Sequence, residues 1–318
     1  MLGSLGSSIA RGALARAGSA ARLLSSASGG GGADQNIEAA HALFKQGMTA
    51  LTHRNFDAAF LSFAEAAEGG HVRAQNAAGG ICLAQRGDVD GAKRFFRMAA
   101  EQGHLRGTVR LASLLSGTDV TAVEAAARLT AAVESGEADA SVAAVAAALT
   151  APPSAVELAE ARALFAGAAA RGDPEARLRV GVFLLAEGGN GLAEGVSWLT
   201  EAAGSPCEFG QEACVALGDI AREAGRKCAE LGDAAREAKA DAEAIRHYRR
   251  AAELAHGTAQ YKLGAMMIMG KGGGNAAADR EEAERWIFLA SEQGEPMAQQ
   301  AWVALHPEAA DGGGEAAS

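Results

Sequence analysis

The chain has 318 residues, a formal net charge of −10, and a composition that is 49% hydrophobic but only 5% aromatic. That acidity argues against nucleic acid as the main partner, because neutralising phosphates requires a surplus of Lys and Arg. No uncharged apolar stretch approaches the roughly 20 residues of a membrane span, and Cys82, Cys207, Cys214 and Cys228 are too sparse for a disulfide framework and fit no zinc spacing, so they read as reduced thiols.

Residues 1–33 contain Arg11, Arg16, Arg22, seven serines and no acid. This composition is that of an organelle transit peptide, with Ile9 to Leu24 forming an amphipathic helix and cleavage expected between Leu24 and Ser25. Mitochondrial import to the matrix or a matrix-facing site is the expectation, with a chloroplast address the nearest rival. Gly29 to Gly32 read as a flexible spacer.

From there the chain repeats one motif. Ala66-Ala67-Glu68-Gly69-Gly70-His71-Val72-Arg73-Ala74 recurs almost letter for letter as Ala99-Ala100-Glu101-Gln102-Gly103-His104-Leu105-Arg106-Gly107. Small-residue anchors at 39, 74, 107, 140, 176, 213, 259 and 298 stand 35, 33, 33, 36, 37, 46 and 39 residues apart. A fixed period in this range is the mark of a repeat architecture.

Each unit reads as two helices. Ala92, Phe95, Phe96 and Ala99 share one helical face, as do Ala259, Leu263, Met266 and Met267. Gly70, Gly103, Gly172 and Gly294 sit where a left-handed residue ends a helix, and Pro174 and Pro296 follow two residues later, early enough to open the next. A single pair cannot bury its apolar face alone, so the pairs must stack. The expected fold is all-α: a right-handed superhelical α-solenoid of about seven helix-pair repeats over residues 34–307. In the sixth unit the charged run Arg222 to Arg246 predicts an elongated second helix that protrudes. Residues 308–318, small, acidic and Gly-rich, are expected to form a disordered tail.

These residues resemble Sel1-like repeats, whose pattern pairs A-x-x-x-L-G with a Gly-containing turn and an aromatic followed by A-A-x-x-G-x-x-x-A. The last unit matches best, through Ala259, Leu263-Gly264, Gly270-Lys271-Gly272, Asp279, Ala283, Trp286, Ala290, Gly294 and Ala298. Trp198 and Phe95 precede Ala202 and Ala99 as Trp286 precedes Ala290. Units three and four lack the aromatic and the Gly-rich turn, and tetratricopeptide repeats share nearly the same period. The structural anchors are therefore Ala74, Gly103, Gly172, Gly264, Trp286, Gly294 and Ala298.

Apparent chemistry yields to structural readings. Gly270-Lys271-Gly272-Gly273-Gly274 lacks the spacing and the preceding strand of a phosphate loop. His71 and His104 recur because the motif is copied, and successive solenoid turns do not converge on a metal. The run from Arg236 to Glu243 reads as a solvated face, and Trp198, Trp286 and Trp302 read as core residues. No catalytic, cofactor-binding or metal-binding residue is expected.

The resemblance implies a non-catalytic scaffold that holds protein partners. With the presequence, it points to an accessory subunit or assembly factor of a mitochondrial complex: the respiratory chain, ATP synthase or mitoribosome. The alternatives are an organellar RNA-binding helical-repeat protein and a regulatory adaptor for an organellar enzyme. DNA is not an expected partner, and RNA would enter only through a ribosome.

Overall fold

The computed structural model describes residues 32–135, 143, 145–147, 150–188, 191–271 and 276–307. The transit-peptide reading of residues 1–33 falls almost wholly outside these, and the tail 308–318 entirely so. Among the described residues there is no strand, and the chain is an all-α solenoid built from helix pairs.

The pairs run α1 (Gly32–Thr52) with α2 (Phe56–Glu68), α3 (Val72–Ile81) with α4 (Val89–Glu101), and α5 (Leu105–Leu115) with α6 (Val120–Glu134). A single π-helical turn, Cys82–Arg86, joins α3 to α4. Then come α7 (Ala155–Ala170), α8 (Pro174–Glu187) with α9 (Gly191–Ala203), α10 (Glu208–Glu230) with α11 (Ala234–Glu253), α12 (Gly257–Ile268) with α13 (Ala276–Glu292), and α14 (Pro296–Leu305). Two compact units divide the chain, the first ending at Ala168 and the second beginning at Ala169. Within each unit the first helices of successive pairs approach one another, α3 to α5 in one and α8 to α10 and α12 to α14 in the other. The second helices keep further apart, so the first helices form the inner layer of each unit.

The pairs close on a recurring steric fit. A small residue on the first helix leaves a seat that a large side chain of the second helix fills. Gly47 faces Phe63, Gly79 faces Phe96, Gly181 faces Leu199, Gly218 faces Tyr248 and Gly264 faces Ile287. Phe63, Phe96, Leu199 and Tyr248 are wholly buried there. A Cβ on Gly264 would stand 2.7 Å from Ile287 Cγ1 and 2.8 Å from the Ala283 carbonyl oxygen, and the backbone atom has nowhere to retreat.

The helix starts are capped by side chains. Asn55, Asp88, Asp119 and Asp233 accept from backbone N–H groups at the starts of α2, α4, α6 and α11. Three first helices are capped by histidine instead. His71 Nδ1 accepts from Ala74 N at 3.1 Å, His104 Nδ1 from Gly107 N at 3.0 Å, and His256 Nδ1 from Ala259 N at 3.3 Å. Before them, Gly70 and Gly103 hold φ of 85° and 76°, but the equivalent residue before His256 is Ala255, a non-glycine at φ 64°. Ser154 and Glu157 form a reciprocal capping box at α7, with Ser154 N donating to Glu157 Oε2 and Glu157 N donating to Ser154 Oγ. Lys93 reaches Glu157 from α4 at 2.5 Å, and Arg97 reaches Glu160 at 2.8 Å. These hydrogen bonds, with Lys93 the largest contributor, hold the Glu157 carboxyl down at about 2.

Two sequence expectations change. In the sixth unit both helices lengthen, to 23 residues in α10 and 20 in α11, because the charged run continues the first helix before a turn at Gly232 starts the second. The first anchor also shifts. Ala39 is exposed, whereas the residue that seats the partner side chain in α1 is Gly47, 32 residues before Gly79.

Three outcomes follow from this packing. Gly264→Ala lowers stability by about 1–3 kcal/mol through overpacking. Gly167→Ala, on an exposed stretch of α7 with nothing within 4 Å of the added Cβ, raises it by about 0.5–1 kcal/mol through helix propensity. Urea unfolding followed by circular dichroism separates the two. Ala255→Gly removes a left-handed strain of about 1 kcal/mol and raises the melting temperature; no rise, or a fall, would show that the strain is absent.

A fourth concerns pH. Burial pushes the His71 and His104 imidazoles below their ordinary range, with His41 and Arg73 adding to the effect at His71 and Arg106 and Arg73 at His104. A group depressed in the folded state contributes stability that is full above its unfolded value, near 6.5, and is lost as pH falls through the folded one. Protonation also removes the accepting nitrogen from each cap. Stability therefore drops between pH 7.5 and 5.5. The double variant His71→Asn/His104→Asn keeps a cap that does not titrate and loses less over the same interval; an equal loss would assign the effect elsewhere.

Candidate functional site

A highly charged constellation lies in the second unit, where the lengthened α10 and α11 meet the end of α12. Asp219, Arg222, Glu223, Arg226, Glu237, Asp241 and Lys271, with Met266 and Met269, line a cleft of about 420 Å³ there. Charged and Ala residues alone make up Arg236 to Glu243, which suggests a solvated face, but Asp241 is only 6% exposed. Its partner is Lys271, whose Nζ stands 2.8 Å from Asp241 Oδ2 and also bonds Glu237. Asp241 and then Glu237 raise the Lys271 ammonium above its ordinary value.

Beside it, Tyr248 donates its hydroxyl to Asp219 Oδ1 at 2.7 Å, and Lys262 Nζ reaches both Asp219 oxygens at 2.7 Å. Burial, reinforced by that bond, pushes the phenol well above the usual tyrosine range. Arg226 bonds Glu223 and Glu230 on its own helix. The lysine that suggested a phosphate loop is thus committed to two carboxylates, and Gly272 to Gly274 lie outside the described residues. The arrangement fastens the long helix pair to the next repeat.

Two of the histidines and two of the cysteines are occupied as well. Nδ1 of His71 and His104 serves as a cap, and Phe44 stacks on His71 with ring centroids 4.4 Å apart. Among the described residues no three His, Cys, Asp or Glu side chains form a metal-sized group. The Cys82 thiol is fully buried, which pushes it up to about 12 and leaves it a packing residue at pH 7. Cys214 is raised by burial as well.

The repeat anchors fall where the stacking needs small or left-handed residues. Ala74 and Ala298 have no exposed surface, Gly264 seats Ile287, and Gly103, Gly172 and Gly294 have φ of 76°, 92° and 83°. Trp286 is different. It is half-buried at the rim, with its indole N–H donating to Glu282 Oε1 at 3.1 Å, and Ile287 is the residue in the core. Trp198 repeats this with Glu194, and Leu199 takes the buried place. Trp302 is half-buried against Phe288 and His306.

One recurring device escaped the sequence reading. Gln75 Nε2 donates to the Ala67 carbonyl at 3.1 Å and its Oε1 accepts from Gln102 at 3.0 Å. Gln260 does the same with Ala252 and Gln293, at 3.2 and 2.9 Å. Each buried amide bridges the ends of two consecutive second helices. The signal was present, since Ala74-Gln75 and Ala259-Gln260 match, as do Gln102-Gly103 and Gln293-Gly294. Arg177 substitutes in α8, donating from Nε to the Ala169 carbonyl and approaching Glu201 at 3.4 Å.

No family model matches the chain, and no curated protein matches it. Among solved structures, it is similar to a Sel1 repeat protein from Oxalobacter formigenes, with 17% identity over 83% of this chain and 88% of that one and a TM-score of 0.53. A nuclear import adaptor from S. pombe, Nro1, aligns over 86% of this chain and 99% of its own at 13% identity, with a TM-score of 0.40. The first likeness places the chain in the Sel1-like helical-repeat fold.

Proposed function

We propose that this chain is a non-catalytic scaffold of the mitochondrion that holds protein partners on its stacked helices. The observation that carries the reading is the inner layer of first helices, a surface repeated from pair to pair as solenoids use to grip an extended partner. Acid-free, Arg-bearing residues 1–33 support the mitochondrial address. Within that compartment the role is an accessory subunit or assembly factor of a respiratory, ATP synthase or ribosomal complex. Among the described residues no helix is long and apolar enough to cross a membrane.

Two measurements test this. Residues 1–33 fused to a fluorescent protein direct it to mitochondria, and replacing Arg11, Arg16 and Arg22 with Gln abolishes import; a reporter left in the cytosol sinks the address. Size fractionation of gently solubilised mitochondria, read by mass spectrometry, finds the chain co-migrating with a large complex whose subunits it crosslinks. Migration at its monomer mass with no crosslinked subunit would overturn the scaffold reading.

A further inference from the structure

The formal charge of −10 hides an uneven distribution. In the first unit the cations of α4 and of the π-helical turn are all matched by carboxylates: Arg86 to Asp57, Lys93 to Glu157, Arg94 to Glu68 and Arg97 to Glu160. The cations of the inner helices are not. Lys45 on α1, Arg73 on α3 and Arg106 on α5 are exposed, and none meets a carboxylate among the described residues. Arg73 instead lies over the Phe44 ring, 5.3 Å from its centroid.

Arg73 and Arg106 hold equivalent positions, and Lys45 stands four residues further along its own helix. Six residues before the small residues Gly47, Gly79 and Ala112 stand His41, Arg73 and Arg106; two before stand Lys45, Ala77 and Arg110. Arg110 is committed to Asp119 at 3.6 Å. In the second unit the six-before positions read Glu175, Glu212 and Thr258, so the arginines at that position belong to the first unit alone.

We propose that the inner face of the first unit docks an extended acidic segment of a partner protein, whose carboxylates pair with Lys45, Arg73 and Arg106. This rests on the scaffold reading and names its partner's chemistry. Packed helices lie about 8–10 Å apart, and an extended chain advances about 3.3 Å per residue. A segment crossing α3 and α5 therefore meets Arg73 and Arg106 with acids about three residues apart, and Lys45, one helical turn further along α1, takes another.

Fluorescence anisotropy on the full chain tests this with a labelled twelve-residue Ser/Ala peptide carrying Glu at every third position. The same peptide with Gln and a twelve-nucleotide single-stranded RNA serve as comparisons. The Glu peptide binds, weakens as salt rises, and loses at least tenfold in affinity in Lys45→Glu/Arg73→Glu/Arg106→Glu. Arg236→Glu/Lys239→Glu on α11 leaves it unchanged, and the Gln peptide does not bind. Circular dichroism checks the fold, and the milder Arg73→Gln/Arg106→Gln replaces the triple variant if that misfolds. Equal binding to wild type and variant, or no binding of the Glu peptide, overturns the proposal. Preferred binding of the RNA, lost in the same variant, overturns it in favour of a nucleic-acid face. If the triple variant still crosslinks the wild-type chain's mitochondrial partners, this docking face falls and the scaffold reading stands.

Discussion

The close approach of each first helix to its second depends on one small residue meeting one large one. Gly47, Gly79, Gly181, Gly218 and Gly264 occupy the same place in their pairs, and Phe63, Phe96, Leu199, Tyr248 and Ile287 fill the seats they leave. With a single large side chain per seat, alanine can supply much of the remaining core: Ala66, Ala67, Ala99, Ala202, Ala251 and Ala290 are all essentially unexposed. This explains how a chain with 5% aromatic residues packs at all. It also makes the fold intolerant at a few points, since interiors packed to crystal-like density have no slack for a Cβ against backbone. The buried glutamine bridges then join one pair to the next, each adding a second donor to a carbonyl at the end of one second helix and an acceptor for the amide beyond the following one.

Much of this was legible in the sequence because it is written in residues with few alternatives. A left-handed helix end calls for glycine, and a close helix contact for glycine or alanine, so the period and the pairings surface as letters. What the letters could not fix was the helical angle of the largest residues. Trp286 and Ile287 are adjacent, about 100° apart around the helix, and size alone favours the tryptophan for the core. The structure puts isoleucine there because it has no polar atom to satisfy, while the indole N–H finds Glu282 at the rim. The same one-residue offset appears at Trp198 and Leu199. The run through Arg236 to Glu243 misled for another reason: a buried aspartate looks like any surface charge until its cation, Lys271, arrives from 30 residues away.

Charge is sorted between the layers by the caps as much as by the ion pairs. Every helix start leaves N–H groups needing an acceptor. The second helices α2, α4, α6 and α11 use Asn or Asp, and the latter adds a negative charge that also suits the positive end of the helix dipole. On α3 and α5 the acceptor is an imidazole, whose neutral form serves the same N–H without a charge. Arg73 and Arg106 follow their capping histidines by two residues. An aspartate in either cap would stand within reach of the arginine and cancel it, as carboxylates do for Arg86 and Arg94. Histidine therefore does two things at once in the first unit: it closes the helix end, and it leaves the neighbouring cation available. On α8 of the second unit, capped by Asp173 and followed by Glu175, neither condition holds, and α12 keeps the histidine cap in His256 but has Thr258 in place of the arginine. Where the histidine cap was kept beside an arginine, on α3 and α5, the cap leaves that arginine without a carboxylate at the helix start.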